Sequence, residues 1–384
     1  MRSYGWEIEF LLIKDGQFRD WTSKLDRVAM ELGAQYPKGK LYRDQTPCPE
    51  WATPPHIDYN KLFRETQEVF QYILEEVGGR IGFIGGASKI LSTFSGHIHV
   101  GSPRGLSSKE ISNMLKVLHG SQTLMELLSQ NASAISSNMA DRRATRTYYE
   151  YYRLRAGNYP EERQYWNYTW NEHRTVENRI PPSSDFYHLL YLTAVETAWL
   201  NHFKDQPTYD LQRNFSEAVS NGVNGTYVIL HGAKAIFVDY ATYVNFQLMR
   251  IEDELKEEFS KMDLSIRKRV KKYHEFLKRT TLATYLSSIS LKELTDLSKR
   301  LIEKGKSYIE DLRIEDLEPP QGKFTEKNIA KIVKIINDSN ELKKYERFTR
   351  FLEAMRTGDI SKADKEDVPI LKHVIAKKRL EEFI

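Results

Sequence analysis

Cysteine is almost absent from this chain of 384 residues, and long apolar runs are absent altogether. The single cysteine, Cys48, excludes an intrachain disulfide and a cysteine-rich zinc site, which favours a reducing compartment. No apolar run approaches the ~20 residues that cross a bilayer, and the N-terminus has no signal-type apolar core. These absences predict a cytoplasmic protein without a membrane segment.

Strong positive charge and glycine-rich phosphate loops are also missing. The formal net charge of +4 does not favour nucleic acid as a partner. The Arg- and Tyr-rich segment 141–155 could bind nucleic acid, but side chains that line a substrate cleft or pack with their stems buried are the favoured interpretation. The chain has neither a Gly-x-x-x-x-Gly-Lys-Ser/Thr loop nor a Gly-x-Gly-x-x-Gly loop. Nucleotide binding would therefore depend on metals and on side chains of a sheet.

The chain is long enough for one large domain with an extension. Helical periodicity predicts amphipathic helices at residues 18–33, 60–77 and 108–130, and a fully buried helix at 186–203. Lys- and Glu-rich helical patterns follow residue 240, after a shift in composition over 205–240. We therefore predict an α+β domain over residues 1–240 and a mostly α-helical C-terminal region over 241–384.

Three short stretches carry most of the residues that can support chemistry, and each is typical of a β-strand. They are Trp6-Glu7-Ile8-Glu9-Phe10, Gly96-His97-Ile98-His99-Val100 and Val176-Glu177-Asn178-Arg179-Ile180. Residues two apart share one face of a strand, so each stretch aligns two polar side chains. A solvated sheet face would show the same alternation, which is the structural alternative for any one stretch. Three such stretches in one chain, with Glu50 in a proline-bounded segment, favour a functional face.

Carboxylates and imidazoles on one sheet face indicate a divalent-metal site that handles phosphate. Mg²⁺ prefers oxygen ligands, and Mn²⁺ also accepts imidazole. Two cations ~3.5–4 Å apart can clamp a transferring phosphoryl group. An arginine beside the carboxylates can bind phosphate oxygens in a bidentate manner.

Four motifs in order resemble those of the carboxylate-amine ligases, the superfamily that has the glutamine synthetase fold. The matching stretches are Gly5-Trp6-Glu7-Ile8-Glu9-Phe10, Glu50-Trp51-Ala52-Thr53-Pro54-Pro55, Ser95-Gly96-His97-Ile98-His99-Val100-Gly101 and Thr175-Val176-Glu177-Asn178-Arg179-Ile180. The similarity is greatest to the glutamate–cysteine ligase-like and amidoligase members, and it covers residues 1–205. It implies a glutamine synthetase-like curved antiparallel sheet with flanking helices, whose concave face holds metals.

The resemblance also implies roles for individual residues. Glu9 and Glu50 would hold Mg²⁺ or Mn²⁺ near the acceptor carboxylate, whereas Glu7, His97 and Glu177 would hold a cation between the ATP phosphates. Glu7 and Glu9 are interchangeable in this assignment, because the tilt of their strand is not known. His99 would contact the nucleotide and Arg179 would steady the γ-phosphate. The carboxylate substrate or the leaving phosphate would meet Arg142, Arg143 or Arg146.

The reaction expected from this resemblance is ATP-dependent amide-bond formation through an acyl phosphate. A small-molecule or peptide carboxylate and an amine would be the substrates. A phosphotransferase of the related guanidino-kinase type and a non-catalytic scaffold that retained the fold stay open as alternatives. The general base, the identity of the substrates and the formation of a homo-oligomer stay open as well.

Overall fold

The computed structural model describes residues 2–15, 17–19, 23–43, 49–83, 96–131, 166–169, 174–181, 183–204, 210–231, 234–286 and 289–317, with residues 206, 208 and 361. The strands within these residues are β1 (Ser3–Glu9), β2 (Leu11–Lys14), β3 (Gln17–Arg19), β4 (Lys40–Arg43), β5 (Pro49–Ala52), β6 (Arg80–Gly82), β7 (Gly96–Gly101), β8 (Trp166–Thr169), β9 (Thr175–Asn178), β10 (Tyr227–His231) and β11 (Lys234–Val238). The α-helices are α1 (Ser23–Gln35), α2 (Tyr59–Val77), α3 (Ser108–Leu118), α4 (Gln122–Ser129), α5 (Phe186–Phe203), α6 (Gln212–Asn221), α7 (Tyr240–Arg250), α8 (Glu252–Ser260), α9 (Leu264–Leu277), α10 (Leu282–Tyr285) and α11 (Leu291–Lys304).

The largest sheet has six strands in the order β4–β5–β1–β7–β9–β8, and every neighbouring pair is antiparallel. β1 therefore lies inside the sheet, between β5 and β7. A three-stranded sheet, β3–β2–β6, and a hairpin of β10 and β11 complete the described strands. The α+β class with an antiparallel sheet, predicted from the sequence, is confirmed.

One face of the six-stranded sheet is apolar and is covered by α5. Trp6, Ile8 and Ile98 on this face are buried, and the indole of Trp6 donates to Thr193 Oγ1 of α5 at 3.0 Å. The helix begins at Phe186, and Asp185 is its N-cap residue, whose side chain accepts from the backbone N–H of Tyr187 at 2.7 Å. Burial of this face turns the alternate residues of the same strands to the opposite face.

The helices that follow residue 240 share the buried core of the preceding chain. Val244, Phe259 and Tyr273 belong to the same cluster of buried apolar residues as Trp6. The hydroxyl of Tyr59 on α2 also donates to Glu258 on α8 at 2.7 Å. The boundary at residue 240 stays a prediction, and much of the predicted C-terminal region lies outside the described residues. None of the described helices combines the length and apolar character that a membrane span requires.

Two helix predictions are wrong in detail. The helix predicted at 18–33 begins at Ser23 and ends at Gln35, because Phe18 pairs with Ile13 in a hairpin. Gly33 does not end it; this glycine lies on the exposed face of α1, where glycine costs roughly 1 kcal/mol but does not stop a helix. The helix predicted at 108–130 is divided by a 3₁₀ turn over His119–Ser121. Its start is confirmed, because Ser107 and Glu110 form a capping box.

Candidate active site

The strand register brings the predicted polar side chains to one face of the six-stranded sheet. Glu7 is directly opposite His97, and His99 is directly opposite Glu177. Glu9 is directly opposite Glu50 on the other side of β1. Directly opposed residues of antiparallel strands point to the same side, with Cβ atoms about 4.5–5.5 Å apart. The three predicted stretches and Glu50 therefore form one continuous polar face.

Both histidines contact Glu7, and His97 also contacts Glu177. His97 Nδ1 lies 3.1 Å from Glu7 Oε2 and 2.8 Å from Glu177 Oε1. His99 Nε2 lies 3.2 Å from Glu7 Oε1, whereas His99 Nδ1 lies 3.0 Å from Thr175 Oγ1. The contact of His99 Nε2 with Glu7 is an ion-pair distance without hydrogen-bond geometry, and this buried nitrogen has no hydrogen-bond partner within the described structure.

Glu7, His99 and Glu177 form a candidate cation site. One ligand atom from each of these residues lies within 4.8 Å of the other two. Two carboxylate oxygens and an imidazole nitrogen form a donor set that Mn²⁺ accepts and in which Mg²⁺ finds its oxygen ligands. The buried His99 Nε2 without a hydrogen-bond partner is an atom that a cation would satisfy. The residues present therefore fit a divalent metal.

Neighbouring positive charges keep the carboxylates of Glu7 and Glu177 ionised, which is the form that binds a cation. Burial raises the pKa of Glu7, but the charge of His99 and the hydrogen bond from His97 outweigh this effect and hold that pKa well below its usual range. Burial likewise opposes ionisation of Glu177, yet Arg179 and His97 bring its pKa down to about 2. Burial lowers the pKa of His99, and the charge of Glu7 reverses this effect, so that the pKa lies above its ordinary value.

Glu9 and Glu50 form a second pair of carboxylates on the same face. Each is only 4% exposed, although they are directly opposite each other. The hydroxyl of Tyr42 on β4 donates a short hydrogen bond to Glu50 Oε1. Like charges directly opposite each other destabilise a sheet. A cation between these two side chains would remove that repulsion.

Arg179 connects the two parts of the site. Its Nη1 donates to Glu177 Oε1 at 2.8 Å, and its side chain is 25% exposed. Burial lowers the pKa of Arg179, but the negative charges of four carboxylates outweigh burial and raise this pKa above its ordinary value. The four are Glu177, Glu7, Glu9 and Glu50. The guanidinium therefore lies in the field of all four carboxylates and can still reach a molecule bound on the face.

The structure brings seven of the predicted site residues together and adds one that the sequence did not predict. Glu7, Glu9, Glu50, His97, Glu177 and Arg179 share the polar face with His99. His97 was predicted as the ligand and His99 as the nucleotide contact, but both imidazoles contact Glu7, and the candidate cation cluster includes His99. The missed residue is Tyr42 of β4; the available signal was the alternation of polar Lys40 and Tyr42 with apolar Leu41. Arg142, Arg143 and Arg146 lie outside the described residues, so their roles stay predictions.

No protein-family model and no curated protein matches this chain. Among solved structures, it is similar to the complex of the prokaryotic ubiquitin-like protein Pup with its ligase PafA, at 12% identity and a TM-score of 0.47, covering 100% of this chain and 94% of that one. It is also similar to a novel glutamine synthase homolog, at 12% identity and a TM-score of 0.40, covering 79% of this chain and 70% of that one. For GmaS without ligand the identity is 15% and the TM-score 0.38, covering 76% of this chain and 71% of that one.

Proposed function

We propose that the chain is an ATP-dependent carboxylate-amine ligase that forms an amide bond through an acyl phosphate. The observation that supports it is the buried polar face, on which four carboxylates, two imidazoles and one guanidinium converge. A scaffold protein would gain nothing from so many buried like charges, because they cost free energy unless something neutralises them. The substrates are ATP, a small-molecule or peptide carboxylate, and an amine.

Divalent cations, Mg²⁺ or Mn²⁺, are the groups that these carboxylates would hold. Glu7 and Glu177, with His99 or His97, would hold one cation, and Glu9 with Glu50 would hold another. Bound there, the cations would neutralise the phosphates and the acceptor carboxylate, which otherwise repel each other. Tyr42 donates to Glu50 Oε1 and so orients this carboxylate.

Arg179 would add a positive charge from the protein to the charge of the bound cations. The ion pair with Glu177 orients the guanidinium along the polar face. Its remaining N–H groups can donate to equatorial oxygens of the γ-phosphate, whose charge is redistributed during transfer. Such preorganised donors lower the barrier because they need no rearrangement as the charge develops.

The proposed reaction has two steps. An oxygen of the acceptor carboxylate attacks the γ-phosphorus, the bond to the bridging oxygen of ATP breaks, and ADP leaves. The amine nitrogen then attacks the acyl carbon, inorganic phosphate leaves with the bonding electron pair, and a base accepts the amine proton. Holding the two anions together is the main task of the protein in both steps.

The deciding experiment measures ADP release with Mg²⁺ or Mn²⁺ across a panel of carboxylates and amines, with amide products identified by mass spectrometry. Amine-dependent ADP release with an amide product supports the proposal. ADP release with a stable phosphorylated product would indicate a phosphotransferase, and no turnover in any combination would indicate a scaffold. Glu177→Gln should abolish turnover, whereas Glu68→Gln, an exposed site on α2, should not change it.

A further inference from the structure

Asn178 is a buried polar residue beneath the candidate site. It is the last residue of β9, and its side chain points away from that of Glu177, toward the layer between the sheet and α5. The residues that share this face with it, Trp6, Ile98 and Val176, are apolar and buried. An amide in such a layer costs free energy unless its hydrogen bonds are made. The presence of Asn178 here therefore calls for a specific role.

The Asn178 amide links α5 to the chain that follows β9. Its Nδ2 donates to Glu196 Oε2 on α5 at 2.9 Å, and its Oδ1 accepts from the backbone N–H of Ile180 at 3.0 Å. The second hydrogen bond forms an Asx-turn, which fixes the backbone on both sides of Arg179. The strand ladder ends at Asn178, so Arg179 lies beyond the regular pairing that holds Glu177. The direction of Arg179 therefore depends on this turn.

Glu196 accepts the hydrogen bond that the Asn178 side-chain amide donates. Its carboxyl group is fully buried on α5, three residues after Thr193, which accepts from the Trp6 indole. Burial raises the pKa of Glu196 to about 8, against the lowering effects of Asn178 and His99. Its Oε1 has no hydrogen-bond partner among the described residues. A glutamine side chain would thus reproduce the shape and the acceptor of this neutral carboxyl group.

We propose that Glu196 and Asn178 are positioning residues for Arg179. Glu196 fixes the Asn178 amide, the amide fixes the turn, and the turn directs the guanidinium to its 2.8 Å contact with Glu177. Both side chains lie on the covered face of the sheet, so neither touches substrate. The inference rests on the proposed function, because it gives Arg179 its task in phosphoryl transfer.

The kinetic test compares Glu196→Gln with the double variant Asn178→Val/Glu196→Met. Asn178→Val also removes the acceptor of the Ile180 N–H, and a buried donor without a partner lowers stability. We expect the double variant, assayed at a temperature where it is folded, to melt below the wild type. Its kcat should fall by at least about tenfold, because misplaced reacting groups are costly, while its KM for ATP changes by less than about threefold. Glu196→Gln should retain the wild-type kcat.

Hydrogen exchange at the Ile180 amide gives a readout that needs no turnover. Glu196→Met should accelerate this exchange, because the Asn178 side chain loses its support, and Glu196→Gln should not. Wild-type kcat in the folded double variant, or unchanged Ile180 exchange in Glu196→Met, would overturn the proposal. Should the double variant not fold, Glu196→Met alone carries the kinetic test. Absence of ligase activity in the wild type would refute the proposed function, and Ile180 exchange would still decide whether Glu196 holds the turn.

Discussion

Glu9 and Glu50 are directly opposite each other on neighbouring strands, and both are almost completely buried. A cation bound between the two carboxylates should therefore stabilise the protein. We expect Mn²⁺ at about ten times its Kd to raise the free energy of unfolding of the wild type by about 1.4 kcal/mol, and to raise that of Glu9→Gln less, because the variant offers one carboxylate here. Urea denaturation measures this change, provided that the slope stays constant.

Glu68→Gln is the matched control for this experiment, since it removes an exposed glutamate from α2 and should leave the free energy of unfolding unchanged. It should also respond to Mn²⁺ as the wild type does. An equal stabilisation of the wild type and of Glu9→Gln by Mn²⁺ would contradict a cation site at Glu9.

The two histidines should differ in their contribution to metal binding. His99 Nε2 belongs to the candidate cation cluster, whereas His97 Nδ1 lies between the two carboxylates. We expect His99→Ala to weaken Mn²⁺ binding about tenfold more than His97→Ala, because removal of a ligand costs more than removal of a group that orients ligands. Isothermal titration with Mn²⁺ measures both affinities. The opposite order would make His97 the ligand, as the resemblance implied.

Arg179 should matter to turnover and little to metal affinity. We expect Arg179→Lys to lower kcat by about 10²–10³, the cost of removing a preorganised donor, because a lysine cannot reproduce the planar fork of the guanidinium. The matched control is Arg27→Lys, whose side chain is exposed and pairs with Glu76 on the surface. Steady-state kinetics with saturating ATP separate kcat from KM. Full activity in Arg179→Lys would remove this residue from the transfer step.

His188 should make the stability of the protein depend on pH below neutrality. It lies fully buried on α5, where Nε2–H donates to the carbonyl of Leu128 at 2.7 Å and Nδ1 accepts from the Ser184 hydroxyl at 2.8 Å. Burial lowers the pKa of His188 to about 4, although the hydrogen bond to Leu128 opposes this. The unfolded chain binds the proton first, so stability is complete above about pH 6.5 and falls as the pH drops toward 4.

The predicted loss is about 3 kcal/mol over this range, because one pKa unit corresponds to about 1.4 kcal/mol. His188→Gln keeps a donor for Leu128 but does not titrate, so its stability should depend less on pH. Subtraction of the two profiles removes the contribution of Asp185, whose pKa is raised by burial to about 6 and which acts in the opposite direction. Parallel profiles for wild type and His188→Gln would contradict the prediction. Urea denaturation at several pH values provides the data.

The polar face could be predicted because strand alternation is a local property. Glu7 and Glu9, or His97 and His99, must share a face of a strand wherever that strand pairs. The register that places Glu9 opposite Glu50, and His99 opposite Glu177, depends on pairing between distant strands. No local pattern encodes it; the order of the resembling motifs supplied that expectation.

Residues outside the local patterns were the ones missed or misinterpreted. Tyr42 lies on a strand of only four residues, and such a strand forms only because β5 pairs with it. Asn178 interrupts the apolar alternation of its stretch, and its hydrogen-bond partner, Glu196, lies on a helix eighteen positions away. Phe18 fits a helical period but pairs with Ile13 in a hairpin. In each case a tertiary partner outweighed the local preference.

The position of β1 inside the sheet has a consequence for how the chain folds. It is the first of the six strands along the chain, yet the partner of Glu7 in β7, His97, lies ninety positions later. Until β7 has been synthesised, one edge of β1 stays unpaired, with Trp6 and Ile8 uncovered by α5. Pairing over such separations is slow, and open edges invite association between nascent chains. Chaperone dependence during expression, and aggregation of fragments that end before β7, follow from the same strand order that assembles the polar face.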